Sequence, residues 1–275
     1  MKNELKKLIE DRISSKKVSQ NELAKELEVS NGTISNILND RWERLNESMI
    51  TKLYSKLNTG NKLKLVETHN LQNIFETCDR SRKFKKLVAI TGKEGAGKTV
   101  ALDEYNRRNP NTYKITCINS MKPKQMLLEL TRVLGLNYNA SIYEMVLKIA
   151  EEINKKENPL IIIDEVSAMS QTNLLYLKDI WDMVENNCGI VLCGMDYFLS
   201  NLEKAVEKSK TGMPEFYSRI SYYLKLSEIT NEEIRFICKE NGIEDFTDFW
   251  HSMNFRVLGN LIKNKIERKY EYELQ

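Results

Sequence analysis

The chain has 275 residues, 41% hydrophobic and 29% charged, with only 4 Pro and 11 Gly, a balance that excludes collagen-like, low-complexity and wholly disordered chains and fits one large or two to three smaller domains. The net charge of +3 is unevenly placed: residues 1–65 carry 13 Lys and Arg against 9 Asp and Glu, the remainder 29 against 30, so a modest basic excess that permits nucleic-acid binding sits at the N-terminal end. Apolar runs such as Leu160 to Ile163 fall far short of the roughly 20 residues needed to cross a bilayer, and Met1-Lys2-Asn3-Glu4 opens no signal peptide, so a cytoplasmic location away from membranes is expected.

In Ser19-Gln20-Asn21-Glu22, Ser19 and Glu22 match a capping box, and Leu23, Ala24 and Leu27 follow at helical spacing, which predicts a short helix from about Ser19. After Glu28-Val29, Ser30 can cap a second helix whose inner face is Ile34, Ile37 and Leu38, with flanking helices near Leu5 to Ile13 and Glu47 to Leu57. Two helices joined by a tight turn, with the small Ala24 where they cross, resemble the helix-turn-helix of phage-repressor-like DNA-binding domains. That resemblance implies that Asn31, Thr33, Ser35 and Asn36 project toward DNA from the second helix, with Lys16, Lys17 and Arg41 near the phosphate backbone. A small helical domain for protein contacts is the alternative, and Trp42 reads as packing for the fourth helix. The helix-ending residues Asn58, Gly60 and Asn61 mark a domain boundary.

The apolar run Leu87 to Ile90 feeds into Thr91-Gly92-Lys93-Glu94-Gly95-Ala96-Gly97-Lys98-Thr99, which satisfies G-x-x-x-x-G-K-T without mismatch and leads into a helical stretch, Val100 to Arg107. This is a Walker A loop in its proper context: the glycines let backbone N–H groups surround phosphate oxygens, and the helix adds its positive dipole end. Lys98 is expected on the β- and γ-phosphates and Thr99 on magnesium. A second apolar strand, Leu160 to Ile163, ends in Asp164-Glu165, the Walker B arrangement. Asp164 is expected to hold magnesium through its water shell, and Glu165 to orient and deprotonate the attacking water. Further strands are predicted at Tyr113 to Ile118, Gly189 to Gly194 and Tyr222 to Leu226, and helices at Pro123 to Leu134, Ile142 to Asn154 and Leu174 to Val184. Alternating near-continuous apolar strands and helices imply a parallel sheet covered on both faces. Five cysteines without Cys-x-x-Cys spacing read as reduced core residues.

The order Walker A, Walker B, a strand ending in a polar segment, an arginine near Arg219 and a C-terminal helical segment carrying Arg256 resembles the AAA+ ATPases. Within them, the repressor-like N-terminal segment, Cys193-Gly194-Met195-Asp196 and Ser218-Arg219-Ile220 are similar to the phage Mu B group of transposition proteins. The resemblance implies an α/β AAA+ P-loop NTPase with a five-stranded parallel sheet, a small C-terminal helical lid and an N-terminal all-α helix-turn-helix domain. The expected divisions are residues 1–58, a linker at 59–66, the nucleotide-binding domain at 67–227 and the lid at 228–275. It implies ATP hydrolysis to ADP and phosphate with Mg2+, and nucleotide contacts from Gly92, Lys93, Glu94, Gly95, Ala96, Gly97, Lys98, Thr99 and Val100. Arg256 is implied as the sensor-two arginine of the lid and Arg219 as a finger reaching the ATP of a neighbouring subunit, since a guanidinium matches the charge that develops on a departing phosphate. Lys122 and Lys124 are expected to face DNA phosphates. Plainer alternatives are a surface salt bridge for Arg219, an amphipathic helix face for Arg256 and a solvated helix start for the two lysines. The fourth strand departs from the wider AAA+ pattern in ending Cys193-Gly194, then Asp196, where many AAA+ proteins place Asn, Ser or Thr at the γ-phosphate.

The expected function is an ATPase of DNA transposition that binds duplex DNA largely without regard to sequence, oligomerises on it as a filament or ring with ATP, activates a transposase and disassembles on hydrolysis. A replication initiator or helicase loader, and a DNA-binding regulator that uses ATP only as a conformational ligand, are the alternatives.

Overall fold

The computed structural model describes residues 2–16, 19–58 and 64–272, which form two compact units, Met1–Leu65 and Val66–Gln275. Residues 59–63 of the expected linker, Lys17, and the last three residues of the expected lid lie outside the described residues.

The first unit contains α1 (Lys2–Lys16), α2 (Gln20–Glu26), α3 (Asn31–Leu38), a 3-10 turn (Trp42–Arg44) and α4 (Glu47–Asn58). The Ser19 hydroxyl accepts from the Glu22 N–H, and the Glu22 carboxylate accepts from the Ser19 N–H, so two otherwise orphaned donors at the start of α2 are satisfied reciprocally. The turn into α3 places Glu28 at φ 57°, and the Val29 N–H closes it on the Ala24 carbonyl at 3.0 Å. Leu5, Ile9, Leu23, Ile34, Ile37, Ile50 and Leu53 form the fully buried centre, against which Trp42 packs partly buried.

The second unit begins with α5 (His69–Phe84), a helix the sequence reading does not anticipate. Five strands follow: β1 (Leu87–Thr91), β2 (Thr112–Thr116), β3 (Leu160–Asp164), β4 (Gly189–Gly194) and β5 (Ile220–Lys225). All pair in parallel, in the order β2-β3-β4-β1-β5. The period-two pleat decides which core each residue joins. Leu87, Ala89, Ile161, Ile163, Ile190 and Leu192 point to one face and meet α7 (Pro123–Val133), α8 (Ile142–Asn154), α9 (Gln171–Val184), α10 (Tyr197–Glu207) and α11 (Met213–Arg219). Val88, Ile90, Leu160, Ile162, Val191 and Cys193 point to the other and meet α5 and α6 (Lys98–Arg108). With both faces covered, alternation of polar and apolar residues vanishes and the strands read as continuous apolar runs. The chain then forms α12 (Asn231–Glu240), a 3-10 turn (Thr247–Phe249) and α13 (Phe255–Tyr272).

All five cysteines are buried and unpaired. Among the described residues no helix is long and apolar enough to cross a membrane.

At the start of β4 a Cβ on Gly189 would lie 2.5 Å from the Ser81 carbonyl oxygen of α5. Because this contact is with backbone, Gly189→Ala forces α5 off the sheet, and the expected cost is about 1–3 kcal/mol, as for other overpacked cores. Urea or thermal unfolding of the variant measures it.

Candidate nucleotide site

Parallel pairing gathers the carboxyl ends of the strands at one edge, where open α/β sheets bind ligands. There the Gly92 N–H reaches the Gly194 carbonyl at 3.3 Å and the Cys117 N–H the Asp164 carbonyl at 2.9 Å, so the segments leaving the strands are tied together. The loop between β1 and α6 turns through Gly95 at φ 67° and Gly97 at φ 84°, conformations that L-residues with a Cβ adopt only at a cost. A Cβ on Gly92 would also meet Leu226 at 2.9 Å, beyond the end of β5.

A cavity of about 430 Å³ opens over this loop, lined by Glu94 through Val100 and by Glu165, Met195, Phe255 and Arg256. Lys98 is buried, and its ammonium donates to the carbonyls of Gly92 at 2.7 Å and Lys93 at 2.8 Å. Thr99 is exposed on the first turn of α6. Lys93 stands outside the cavity lining and pairs with Glu228; this ion pair raises its pKa and lowers that of Glu228. Glu165 leaves β3 at φ 56°, and its carbonyl accepts from the Ala168 N–H in the 3-10 turn Val166–Ala168. Holding a non-glycine residue in this left-handed region costs roughly 1–2 kcal/mol, and such strain collects at functional positions.

Asp164 is fully buried at the end of β3. One carboxylate oxygen accepts from the Glu165 N–H at 3.0 Å, while Oδ2 has no well-directed hydrogen bond and lies 3.0 Å from the Lys114 ammonium. Burial pulls Lys114 toward its neutral form, but the Asp103 hydrogen bond and the charge of Asp164 outweigh it, so its pKa stands above that of an ordinary lysine. Among the described residues no group of three or more His, Cys, Asp or Glu is arranged to hold a metal. The donors present are instead the Thr99 hydroxyl and an Asp164 oxygen with an unmade bond, a sparse oxygen set that fits magnesium carried by phosphates and water.

The segment after β4 has a different chemistry from the one expected of a γ-phosphate sensor. Cys193 is buried in the sheet, and the residue that reaches the cavity is Met195, whose N–H donates to Ser167 Oγ at 2.8 Å and whose sulfur lies 3.7 Å from the Lys98 ammonium. Met195 lies in the Cys193-Gly194-Met195-Asp196 segment singled out in the sequence, but nothing there assigns it to the cavity, and Ser167 carries no motif signal.

Arg256 lines the cavity because the start of α13 is fastened to the loop: the Phe255 N–H donates to the Gly95 carbonyl at 3.0 Å, and Asn254 Oδ1 accepts from the Val257 N–H at 2.9 Å. Asn70, buried at the start of α5, spans from the Ala96 carbonyl to both the N–H and the carbonyl of Ser227 and so joins the loop to the segment after β5. The polar residue preceding an amphipathic helix is a signal that could have drawn attention to Asn254.

Arg219 lies elsewhere. It precedes β5, whose Ile220 pairs with Leu87 while Lys225 pairs with Thr91, so a full strand length, about 13 Å at ~3.3 Å per residue, separates it from the edge with the loop. Half-buried, it donates from Nε to Asp182 Oδ1 of α9 at 3.0 Å and borders a second cavity with Lys85, Lys86 and Glu185. Burial works against ionisation of Asp182, but the hydrogen bonds from Arg219 and Lys178 prevail and lower its pKa.

In the N-terminal unit the expectation for Thr33 is corrected. It is buried, with Oγ1 2.9 Å from the Ser30 hydroxyl, because α3 turns this position toward the core beside Ile34 and Ile37. Asn31 and Arg41 are exposed, Ser35 and Asn36 half-buried, and Lys122 and Lys124 at the start of α7 are exposed.

A family model described as an AAA domain matches residues 81–202. The DNA transposition protein B of a Mu-like prophage, FluMu, of Haemophilus influenzae is 21% identical over 245 residues, covering 86% of this chain and 84% of that protein. The ATP-dependent target DNA activator B of Escherichia phage Mu is 24% identical over 236 residues, covering 82% and 73%. Among solved structures, a DNA replication initiation factor aligns with a TM-score of 0.47 at 14% identity, covering 76% of this chain and 66% of that one. AMPPCP-bound DnaA of Aquifex aeolicus aligns with a TM-score of 0.46 at 17% identity, covering 76% and 68%.

Gly95 combines its positive φ with an Asn254 side chain that would stand 2.5 Å from an added Cβ. Gly95→Ala is expected to distort the loop and lift α13 from it, weakening nucleotide binding about 5- to 30-fold, the equivalent of 1–2 kcal/mol. Gly32→Ala, whose Cβ meets only Ser30 Oγ at 3.6 Å, is the neutral control. Titration with a fluorescent nucleotide measures both.

Proposed function

We propose, from the premise that this chain is an AAA+ ATPase of the Mu B-like group, that it acts in the cytoplasm as an ATP-dependent activator of target DNA in transposition. In this reading it binds duplex DNA largely without regard to sequence, assembles on it with ATP, stimulates a transposase and disassembles on hydrolysis. The observation that carries the nucleotide chemistry is the single cavity bordered by the loop Glu94 to Val100, the Walker B Glu165 and Arg256. The names of the prophage and phage relatives, which match over most of their length, support the biological setting.

The residues divide the work as follows. Lys98 exchanges the carbonyls of Gly92 and Lys93 for phosphate oxygens, and the N–H groups of the loop and of the first turn of α6 surround those oxygens. Thr99 and Asp164 are the residues that would hold magnesium, which would supply positive charge to the phosphates. Glu165 orients the attacking water and accepts its proton, and Arg256 closes over the phosphates from α13. A lone subunit cannot bring Arg219 to its own ATP, since Arg219 stands at the far end of its own strands. Supplied to a neighbour's ATP, Arg219 makes hydrolysis depend on assembly. Asn31, Ser35, Asn36 and Arg41 are the DNA-facing residues of the N-terminal unit, and Lys122 and Lys124 those of the ATPase unit. A modest basic excess makes such binding electrostatic and sensitive to salt.

Lys98→Ala is expected to lose nucleotide affinity, whereas Glu165→Gln retains affinity and loses turnover, because the first removes a phosphate contact and the second only the group that positions water. Equilibrium binding and single-turnover hydrolysis, measured separately, test this division; equal loss of binding in both would refute it.

Arg219→Ala is expected to lower turnover roughly 10³-fold or more, and activity in the parent should rise with protein concentration and with added duplex DNA. Arg219→Ala and Lys98→Ala subunits are each inactive alone, but mixing them can place an intact Arg219 beside an intact loop. No recovery in a mixture shown to co-assemble would assign Arg219 to its Asp182 salt bridge alone.

A further inference from the structure

Lys114 sits on β2, the edge strand beside the Walker B strand, and none of the roles above uses it. Its side chain is 7% exposed, yet the ammonium meets Asp103 Oδ1 of α6 at 2.7 Å, Asp164 Oδ2 at 3.0 Å and Thr116 Oγ1 at 3.4 Å. An ammonium donates and cannot accept, and here it donates to Asp103 and Thr116 while facing Asp164 Oδ2 as a charge partner without a well-directed hydrogen bond. The two carboxylates differ in kind: Asp103 is 62% exposed and Asp164 has no exposure at all. Water can replace Lys114 at Asp103, but not at Asp164, where a lone buried anion is strongly unfavourable.

We propose that Lys114 is the built-in counter-cation of Asp164: it offsets the charge of that carboxylate and holds it oriented before nucleotide arrives, and opposes capture of a free divalent cation there. Lys114 would thereby favour a metal brought by phosphates over a free one, because phosphate charge would offset the repulsion between two cations sharing one carboxylate. Asp103 gives the ammonium a second seat, within reach of a flexible four-carbon stem, when Asp164 turns to the metal. Lys114 is thus a positioning residue. The inference rests on the reading of Asp164 as a magnesium residue.

The 275-residue chain tests it through melting temperature in EDTA and in MgCl2 alone, and through the MgCl2 concentration that half-saturates binding of a fluorescent ADP. The parent is expected to melt alike in EDTA and MgCl2. Lys114→Met should melt several degrees lower in EDTA and recover part of that loss in MgCl2 without nucleotide. The double variant Lys114→Met/Asp164→Asn, which removes both charges, should recover it without metal. Half-saturating MgCl2 should fall several-fold in Lys114→Met. Asp103→Asn, a surface change that confines Lys114 to Asp164, should raise it, and this variant decides the matter should Lys114→Met not fold. A magnesium requirement that is present in the parent and unchanged in both variants overturns the role of Lys114 alone. ADP binding in the parent that ignores MgCl2 overturns the magnesium reading of Asp164 with it.

Discussion

Parallel pairing of β1 between β4 and β5, with β3 one strand further on, is the arrangement on which the nucleotide site depends. A parallel strand cannot return through a short hairpin, so every connection crosses a face of the sheet and covers it with helix. This is why Leu87, Val88, Ala89 and Ile90 are all fully buried although successive residues point in opposite directions. It also sends the carboxyl ends of all strands to one edge. The glycine-rich loop, Glu165 and Met195 therefore meet around one cavity although more than a hundred residues separate the first from the last. The Gly92–Gly194 and Cys117–Asp164 backbone bonds continue that register beyond the strands.

Two lysines with buried side chains at this edge have their ammonium groups held by oxygen partners. Lys98 is held by loop carbonyls and Lys114 by two carboxylates, so each cation already has partners within the protein. Exchanging such partners for a ligand costs less than creating the charge there, because the desolvation has already been met on folding. The α13 connection supplies the mechanical half of the design. The Phe255 N–H bonds directly to the Gly95 carbonyl, so the start of α13, with Arg256 beside it, is tied to the loop.

The opposite edge of the sheet presents a separate cationic surface. Arg219 is steered by Asp182, itself shared with Lys178, and has Lys85 and Lys86 around the same cavity. A guanidinium restrained by one carboxylate at the surface keeps donor capacity for an anion brought to it. The N-terminal unit relies on different physics, a small apolar centre with capped helices, in which Ser30 uses its hydroxyl to fix the start of α3 and draws Thr33 inward.

The amino-acid sequence by itself determined what depends on local chemistry. Gly92 to Thr99 could be read as a phosphate loop because backbone N–H groups can converge on an anion only where side chains are absent, and the apolar β1, β3 and β4 segments were legible because burial on both faces leaves no polar position. Capping chemistry likewise located α2 and α3, since Ser19 and Ser30 satisfy donors three residues away. Helix α5 escaped because Asn70, Thr77 and Ser81 on its buried side are polar, Ser81 lying against Gly189, and they interrupt the apolar stripe. Which residues far apart in sequence share the cavity was decided only by the tertiary structure. Met195 in place of a polar sensor, Asn254 and Phe255 on the loop, Lys114 on Asp164 and the separation of Arg219 from its own loop all follow from strand order and helix docking. Those are long-range packing relations, and no periodicity or motif within a single segment encodes them.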